Sequence, residues 1–236
     1  MIKKLWRKRG EGKSRINEEH KESKADEVEE LYWRALRGLM QQIHRRTQFE
    51  GARVFAFMGL LPAQGTTSVL DDLVTLLRLA SGRQRVLLVD ANSANPTLDA
   101  KFGVQAGPGL YQVVRSTCPL KEAVYRVNNA NNLWILPNRW PNEENNAFLS
   151  HDEVEALLSA CREAFDTVLI DAPPLSVIGD SPPLQRLVDV NYIVVSSGSV
   201  HAKVAEKMLR SIRNDGGRIG GIILNRFAQV IPRWLY

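Results

Sequence analysis

The residues best suited to chemistry in this sequence are polar side chains that follow short apolar segments. A short apolar run, Val54 to Met58, leads into a Gly/Pro loop, and a helix-like segment opens directly after Gly65. In such an arrangement the loop N–H groups and the positive end of the helix dipole converge on one point, which suits a phosphate group. The candidate nucleotide-binding residues are Gln64, Gly65, Thr66, Thr67, Ser68 and Asn225.

The loop follows the phosphate-loop pattern only in part. The phosphate-loop pattern GxxxxGK[ST] fits at Gly65 and at the hydroxyl of Thr67, but its lysine position holds Thr66. We therefore predict that the cradle is present and that its cation is missing. A hydrogen bond to a charged group contributes about 1.5–3 kcal/mol, so this loss alone lowers nucleotide affinity by about 10- to 100-fold.

Two aspartates, Asp90 and Asp171, each end an apolar segment. A strand-end carboxylate beside a phosphate loop can hold Mg²⁺ through water or orient an attacking hydroxyl, and Thr67 would add a hydroxyl ligand. Plainer interpretations stay open: Asp90 as a turn or cap residue, Thr67 as a helix cap, and Asn225 as a turn residue instead of an adenine contact. We expect ATP or ADP with Mg²⁺ as cofactors, with both aspartates as catalytic and metal-binding candidates.

Short apolar segments alternate with amphipathic ones along most of the chain. The strand-like segments are 53–59, 85–90, 132–137, 167–171, 192–197 and 221–225, and the clearest helix-like segments are 67–81, 152–165 and 201–214. This alternation predicts an α/β fold with a doubly wound, mostly parallel sheet and helices on both faces. Ligands of such sheets bind outside the carboxyl ends of the strands, where the loop, both aspartates and Asn225 are expected to meet.

The positive charge of the chain is concentrated at one end. The formal net charge is +5, and residues 1–15 contain seven basic side chains and one acid. Residues 1–27 lack hydrophobic periodicity, so we expect a disordered basic arm that either contacts an anionic membrane surface or is a solubilising tail. The remainder has no positive excess, which argues against nucleic-acid binding. No apolar run approaches the ~18 residues of a membrane span, so we expect a cytoplasmic protein.

A helix is predicted over 26–48, because apolar residues recur at helical spacing with acids first and bases last. It is either a packing helix or a docking helix that uses Arg34 and Arg37. We expect three parts in the chain: the arm at 1–27, a P-loop NTPase-like domain with this helix at 28–230, and a short tail at 231–236.

The order of the motifs resembles that of the bacterial tyrosine kinases of capsule and exopolysaccharide export, which are related to MinD/ParA-type P-loop ATPases. The motifs are PAQGTTS, VLLVDANSANPTLDAKFGVQAGPGL, FDTVLIDAPP, IVVSSGSV and GIILNRF. The resemblance covers about Glu30 to Phe227. It implies a P-loop NTPase-like fold, oligomers formed through an EX₂RX₂R helix, phosphorylation of a C-terminal tyrosine cluster, and a polysaccharide co-polymerase-type inner-membrane partner.

The sequence departs from the family pattern in the residues that handle phosphate and metal. The family loop reads like PGEGKSTT, so Thr66 replaces a lysine, and the MinD-type signature lysine near Leu61 is also absent. The second aspartate of the DxD motif is Asn92. The remaining matches to the family are Thr67, Asp90, Asp171, Asp180 and Asn225.

The assembly and substrate motifs are also incomplete. The first helix keeps Arg34 and Arg37 in the family spacing, but Leu31 occupies the glutamate position and Glu30 is one residue off. The C-terminal tyrosine cluster is reduced to Tyr236.

Three hypotheses follow from these matches and losses. The first is a catalytically degenerate regulator or scaffold of exopolysaccharide export, peripheral at the inner membrane. The second is a working tyrosine kinase or ATPase, which takes its cation from another subunit or from Lys101 or Arg139. The third is a MinD/ParA-like positioning ATPase. Thr66, Asn92 and the lone Tyr236 favour the first.

Overall fold

The computed structural model describes residues 15–79, 84–93, 95–104, 107–127, 132–141, 149–178 and 183–226. The basic residues before Arg15, and also Asp180 and Tyr236, lie outside this part of the chain. Two units are distinguished, the first ending at Leu39 and the second beginning at Met40. Whether residues 28–39 belong with the P-loop-like domain stays a prediction. No helix within the described ranges is both long and apolar enough to cross a bilayer.

Helix α1 is longer than the sequence pattern indicates. It runs Arg15–Glu50, whereas a helix over 26–48 is predicted, and the expectation of disorder is therefore wrong for residues 15–27. That stretch is rich in Glu and Lys, which are good helix formers, and such residues extend a helix without any hydrophobic periodicity. In the first unit Arg34 is exposed and pairs with Glu30 at 3.0 Å, and Arg37 is also exposed.

The second unit contains a mostly parallel sheet, as predicted, and seven strands of it lie in the described part of the chain. Its strands are β1 Val54–Gly59, β2 Val86–Asp90, β3 Tyr125–Arg126, β4 Leu133–Leu136, β5 Thr167–Asp171, β6 Val190–Ser196 and β7 Ile219–Asn225. Their spatial order is β3-β4-β2-β5-β1-β6-β7. All neighbours pair in parallel except β3 and β4. The two-residue strand β3 is not predicted from the sequence, since two residues carry no periodic signal.

The helices of the second unit fall into long and short ones. The three long helices, all close to their predicted bounds, are α2 Thr66–Leu79, α6 His151–Ala164 and α9 Ala202–Asn214. The sequence analysis misses the short helices α3 Leu98–Phe102, α4 Leu110–Val114, α5 Leu120–Ala123, α7 Leu175–Ile178 and α8 Pro183–Leu187. Helix α6 begins with a capping box, in which Ser150 and Glu153 bond each other's backbone N–H groups.

Strand β1 lies in the core and is buried over all six residues. Val54, Ala56 and Met58 belong to a cluster that includes apolar side chains of α6 and α9. The intervening Phe55 and Phe57 point to the opposite face, as the alternation of a strand requires, and both stack on Tyr192. Burying each of these large side chains stabilises the fold by about 1.5–3 kcal/mol. The sheet therefore holds the start of the loop at 60–65 rigidly.

The strand register brings the two strand-end aspartates side by side. Asp90 and Asp171 are Cα partners in the parallel pair of β2 and β5, and Phe57 of β1 is the partner of Asp171 on the other side. Because paired residues of adjacent strands point to the same face, the two carboxyl groups share one edge with the loop that leaves β1. The predicted meeting of these features at the carboxyl edge is confirmed in the register.

Candidate functional site

The loop between β1 and α2 is shaped by two residues with left-handed backbone geometry. Gly65 has φ 83° and Ala63 has φ 60°. A Cβ atom at Gly65 would collide with the amide nitrogen of Asn225, so only glycine fits this position. Ala63 stands where the kinase motif quoted above has glycine, and an L-residue in this region costs about 1–2 kcal/mol.

Gln64 fastens the loop to the neighbouring strand. Its side chain is 4% exposed, and its Oε1 accepts hydrogen bonds from the Ser196 backbone N–H at 2.6 Å and from the Ser199 hydroxyl at 3.0 Å. Its backbone carbonyl accepts from the Ser196 hydroxyl at 3.3 Å. The side chain of Gln64 therefore has a structural role, because its oxygen accepts two hydrogen bonds within the fold. Sequence reasoning places it among the nucleotide-binding residues and gives no signal of this role.

Asn225 contacts the same loop from the end of β7. Its amide nitrogen donates to the carbonyl oxygen of Gln64 at 2.9 Å, and its Oδ1 accepts from the backbone N–H of Arg226 at 2.9 Å. Arg226 in turn donates to the carbonyl of Ala63 at 3.3 Å. We call this set, Gln64, Asn225 and Arg226, the loop latch. An adenine contact by Asn225 stays a prediction, and its amide is engaged in the latch.

Helix α2 opens at Thr66 and positions its hydroxyl residues differently. Thr66 is buried, Thr67 is half-buried and Ser68 is exposed. The Thr67 hydroxyl donates to Oδ2 of Asp171 at 2.5 Å. The backbone N–H of Val69 bonds the carbonyl of Gly65 at 3.0 Å, which closes the first helical turn. Thr67 and Asp171 are thus brought together, as predicted for two ligands of one cation.

Asp90 is both a strand-end carboxylate and a cap for the segment that follows it. Its Oδ1 accepts from the backbone N–H of Asn92 at 3.2 Å, and its Oδ2 accepts from Thr97 and Leu98 at 3.1 Å each. Asn138 also donates to the Asp90 carbonyl at 3.1 Å. These backbone hydrogen bonds support the interpretation of Asp90 as a cap residue. Its role as a metal ligand stays a prediction.

Burial raises the pKa of both carboxyl groups. Asp90 and Asp171 are each 1% exposed. Loss of solvation raises the pKa of Asp90 to about 6, against the lowering effect of its three backbone hydrogen bonds. Loss of solvation also raises the pKa of Asp171 to about 7; the Thr67 hydrogen bond opposes this rise and the nearby Asp90 adds to it. Both groups thus change protonation near neutral pH.

Two oxygen atoms at this edge have no hydrogen-bond partner among the described residues. They are Oδ1 of Asp171 and Oδ1 of Asn92, and both are buried. Buried acceptors without a donor are rare, because leaving one unpaired costs about 1–3 kcal/mol. Oxygen donors are the ligands that Mg²⁺ prefers, and it keeps several waters. No group of three His, Cys, Asp or Glu fit to hold a metal occurs in the described ranges.

The two candidate cations differ in position. The Lys101 ammonium lies 2.7 Å from Oδ2 of Asp71, one helical turn after Thr67, and its charge lowers the pKa of Asp171. Arg139 instead donates to Asp99 at 2.9 Å and to the carbonyl of Val104 at 2.9 Å. The structure therefore brings Lys101 to the site and engages Arg139 elsewhere. Asp71 is missed from sequence, although its i+4 spacing from Thr67 is a usable signal.

The chain is similar in sequence to proteins named as tyrosine kinases. It is 26% identical over 191 residues to the tyrosine-protein kinase ptk of Acinetobacter johnsonii, a match that covers 81% of this chain and 26% of that protein. It is 23% identical over 195 residues to the tyrosine-protein kinase CpsD of Streptococcus agalactiae, covering 81% of this chain and 83% of CpsD. The homologues of this chain are bacterial tyrosine kinases. No protein-family model matches.

Solved kinase domains share the fold of this chain. The kinase domain of the Escherichia coli tyrosine kinase ETK superposes with a TM-score of 0.72 at 20% identity and covers 85% of this chain and 79% of that domain. MinD from Pyrococcus horikoshii, complexed with Mg-ADP, gives 0.63 at 22% identity, over 78% of this chain and 75% of MinD. At these identities the likeness shows the fold alone. The predicted P-loop NTPase-like fold is confirmed.

Proposed function

We propose that this chain is a kinase-like regulator or scaffold of capsule or exopolysaccharide production in which tyrosine phosphotransfer is lost or very weak. The pathway follows from the family resemblance and from kinase homologues over four-fifths of the chain. The chain spans only about a quarter of the Acinetobacter kinase but 83% of CpsD, so a single-domain kinase is the fitting comparison.

The main support for this proposal is the presence of Thr66 as the first residue of α2. The residue is buried at the position where the phosphate-loop pattern requires lysine. Charge on a transferring phosphoryl group needs a fixed cation, so the loss is larger in the transition state than in nucleotide binding. Asn92 weakens the site further, since an amide offers Mg²⁺ no full negative charge.

Nucleotide binding is compatible with this proposal. Mg²⁺ would neutralise phosphate charge, and Thr67 and Asp171 would hold it, with Asp90 and Asn92 beside them. The backbone N–H groups of Gly65, Thr66, Thr67 and Ser68 would hold the phosphates. In this role the protein senses nucleotide through the order of the loop and passes that state to a partner.

The partner that we propose is a polysaccharide co-polymerase-type inner-membrane protein. Arg34 and Arg37 would contact this partner or a second copy of the chain, because both side chains are exposed and one helical turn apart on α1. The basic residues in 1–15 would add attraction to anionic lipid, worth about 1 kcal/mol per basic residue near the surface. The location that we propose is therefore the cytoplasm, peripheral at the inner membrane. Replacing Arg34 and Arg37 with glutamate should abolish co-purification with the membrane partner if the surface is correct.

A phosphorylation assay tests the loss of kinase activity. Purified chain is incubated with Mg·ATP, alone and with the membrane partner, and phosphotyrosine is read at Tyr236 and elsewhere by mass spectrometry. We expect no ATP-dependent phosphotyrosine above that of an Asp171→Asn variant. Stoichiometric phosphorylation of Tyr236 would overturn the proposal.

A second candidate is a working ATP-dependent tyrosine kinase. It is favoured by the retained residues that could bind Mg²⁺, Thr67, Asp90 and Asp171, which we call the metal end of the site. The contact between Thr67 and Asp171 at 2.5 Å and the pairing of Asp171 with Asp90 are what a phosphoryl-transfer site needs on its metal side. The phosphorylation assay separates the two candidates. A MinD/ParA-like positioning role has only the fold likeness in its favour.

A further inference from the structure

Lys101 brings a cation to the carboxyl edge of the sheet from a helix that the phosphate-loop pattern does not include. Its ammonium lies 2.7 Å from Oδ2 of Asp71, and its side chain is 39% exposed. Asp71 lies four residues after Thr67 on α2, so the two share one face of that helix. Thr67 in turn contacts Asp171. The Lys101 ammonium is therefore about one helical turn from the metal end of the site.

The backbone of Lys101 is held from both sides of α3. Asp90 accepts the N–H groups of Thr97 and Leu98 at 3.1 Å, which fixes the start of the helix, and Leu98 is fully buried. Arg139 bonds the Asp99 carboxylate at 2.9 Å from the other side. These contacts hold the backbone of α3 in place beside the site, whereas the Lys101 side chain is flexible.

The surroundings of Asp171 independently point to a bound group. Its Oδ1 is buried and has no hydrogen-bond partner in the described part of the chain, although the residue is only 1% exposed. Lysine carries its charge on a flexible four-carbon stem, so the ammonium can change partner while the backbone stays in place.

We propose that Lys101 partly replaces, in nucleotide binding, the cation that the phosphate loop lacks: on binding of a Mg·nucleotide, its ammonium leaves Asp71 and pairs with phosphate oxygens. Its flexible side chain holds the bound nucleotide but is not the fixed cation that phosphoryl transfer needs. The inference rests on the proposed use of the loop as a nucleotide-phosphate cradle. Asp71 acts as the resting counter-ion, which keeps the lysine beside the site when it is empty. Arg139 has no such freedom, since its guanidinium bonds both Asp99 and Val104.

Two substitutions should move nucleotide affinity in opposite directions. Lys101→Met keeps the length of the stem and removes the charge, so Mg·ADP should bind about 10- to 100-fold more weakly. Asp71→Asn frees the lysine from its counter-ion and should tighten binding by up to about five-fold, the scale of a partly exposed ion pair. Lys101→Arg should retain most of the affinity. A matched control is Lys203→Met, at an exposed lysine of α9.

Calorimetric titration of Mg·ADP into the full chain and its variants tests the proposal. A double variant, Thr66→Lys with Lys101→Met, separates loss of the cation from loss of the fold, because a lysine in the loop should restore binding. Equal affinity for Lys101→Met and wild type, or no binding by wild type at millimolar nucleotide, would overturn the role of Lys101 and leave the degenerate-regulator proposal standing. Tyrosine phosphorylation by wild type would instead overturn that proposal and leave Lys101 in place.

Discussion

The two ends of the candidate site differ in what they retain. The metal end has Thr67 bonded to Asp171, which pairs with Asp90 across the sheet. The phosphate end has Thr66 where a lysine is expected, and its loop is held by the latch of Gln64, Asn225 and Arg226. The loop therefore keeps its shape without the lysine, because hydrogen bonds from β6 and β7 hold it in place.

This difference teaches that the shape of a phosphate cradle and its charge are supplied by different residues. Gly65 and the loop latch set the shape, and neither depends on the side chain at position 66. The charge came from one residue in the kinase pattern and has no substitute within the loop. A sequence can therefore lose the loop lysine and still keep the folded shape of the loop.

The largest effect is expected from Asp171→Asn, which removes the charge of the metal end. Mg·ADP affinity should fall by about 100-fold or more, because a metal ligand contributes several kcal/mol. Stability should rise at pH 8 by on the order of a few kcal/mol, because wild type holds a buried carboxylate there whose pKa is raised to about 7. Calorimetry and urea unfolding check the two effects, with Asp152→Asn on the exposed start of α6 as the control.

If Asp171→Asn lowered both the Mg·ADP affinity and the stability of the fold, the contrast between the two ends of the site would be wrong. It would mean that the carboxylate supports the fold and that the metal end is structural.

The next effect is expected from Thr66→Lys, which restores the missing cation at the phosphate end. Mg·ADP should bind about 10- to 100-fold more tightly, since the latch already holds the loop in place. Calorimetry measures the gain, and Ser211→Lys on the exposed face of α9 controls for added charge. No gain in affinity would show that the latched loop is not shaped for phosphate.

A smaller effect is expected from pH, which should move binding and stability in opposite directions. The pKa values of Asp90 and Asp171 are raised to about 6 and about 7 in the folded chain, against about 3.9 for an unfolded aspartate. Stability from the protonated forms is fully present below about pH 4 and is lost as pH rises through 6 and 7. Mg²⁺ needs the ionised forms, so Mg·ADP affinity should rise by about 10-fold between pH 6 and 8.

Thermal unfolding and calorimetry at both pH values provide the check. Affinity that is independent of pH, or that falls as pH rises, would exclude both aspartates as metal ligands.

The smallest effect is expected from Asn225→Ala, which opens the loop latch. Loss of the 2.9 Å hydrogen bond to Gln64 should cost about 1 kcal/mol, or roughly 2–4 °C in melting temperature. A latch role predicts equal weakening of ADP and of inorganic pyrophosphate binding. Weakening of ADP alone would instead assign Asn225 to the adenine edge. Asn132→Ala, before β4, is the control.

The sheet was predictable because its strands are short apolar segments between amphipathic helices. The segments 85–90 and 167–171 lie within one residue of β2 and β5, and parallel order alone places their terminal aspartates at one edge. The helices of four or five residues were not predictable, because little more than one turn carries no periodicity to detect. The helix over 15–27 was missed for a related reason, since its charged residues form a helix without an apolar stripe.

Part of the candidate site could not be predicted from the sequence. Thr67 and Asp171 could be identified from the sequence, because one lies in the loop motif and the other ends an apolar strand. The ion pair of Asp71 with Lys101 joins residues of different helices, so only the packing of α3 beside α2 reveals it. The capture of Gln64 by Ser196 and Ser199 depends in the same way on β6 lying next to β1.

The most direct test of the difference between the two ends is the rate of γ-phosphate release or transfer from Mg·ATP by the full chain. The Asp171→Asn variant supplies the background rate, and both water and tyrosine are counted as acceptors. We expect wild type to match that background even at nucleotide concentrations that saturate binding. A wild-type rate well above background, lost in Asp171→Asn and in Lys101→Met, would contradict the loss of phosphotransfer and identify a working enzyme.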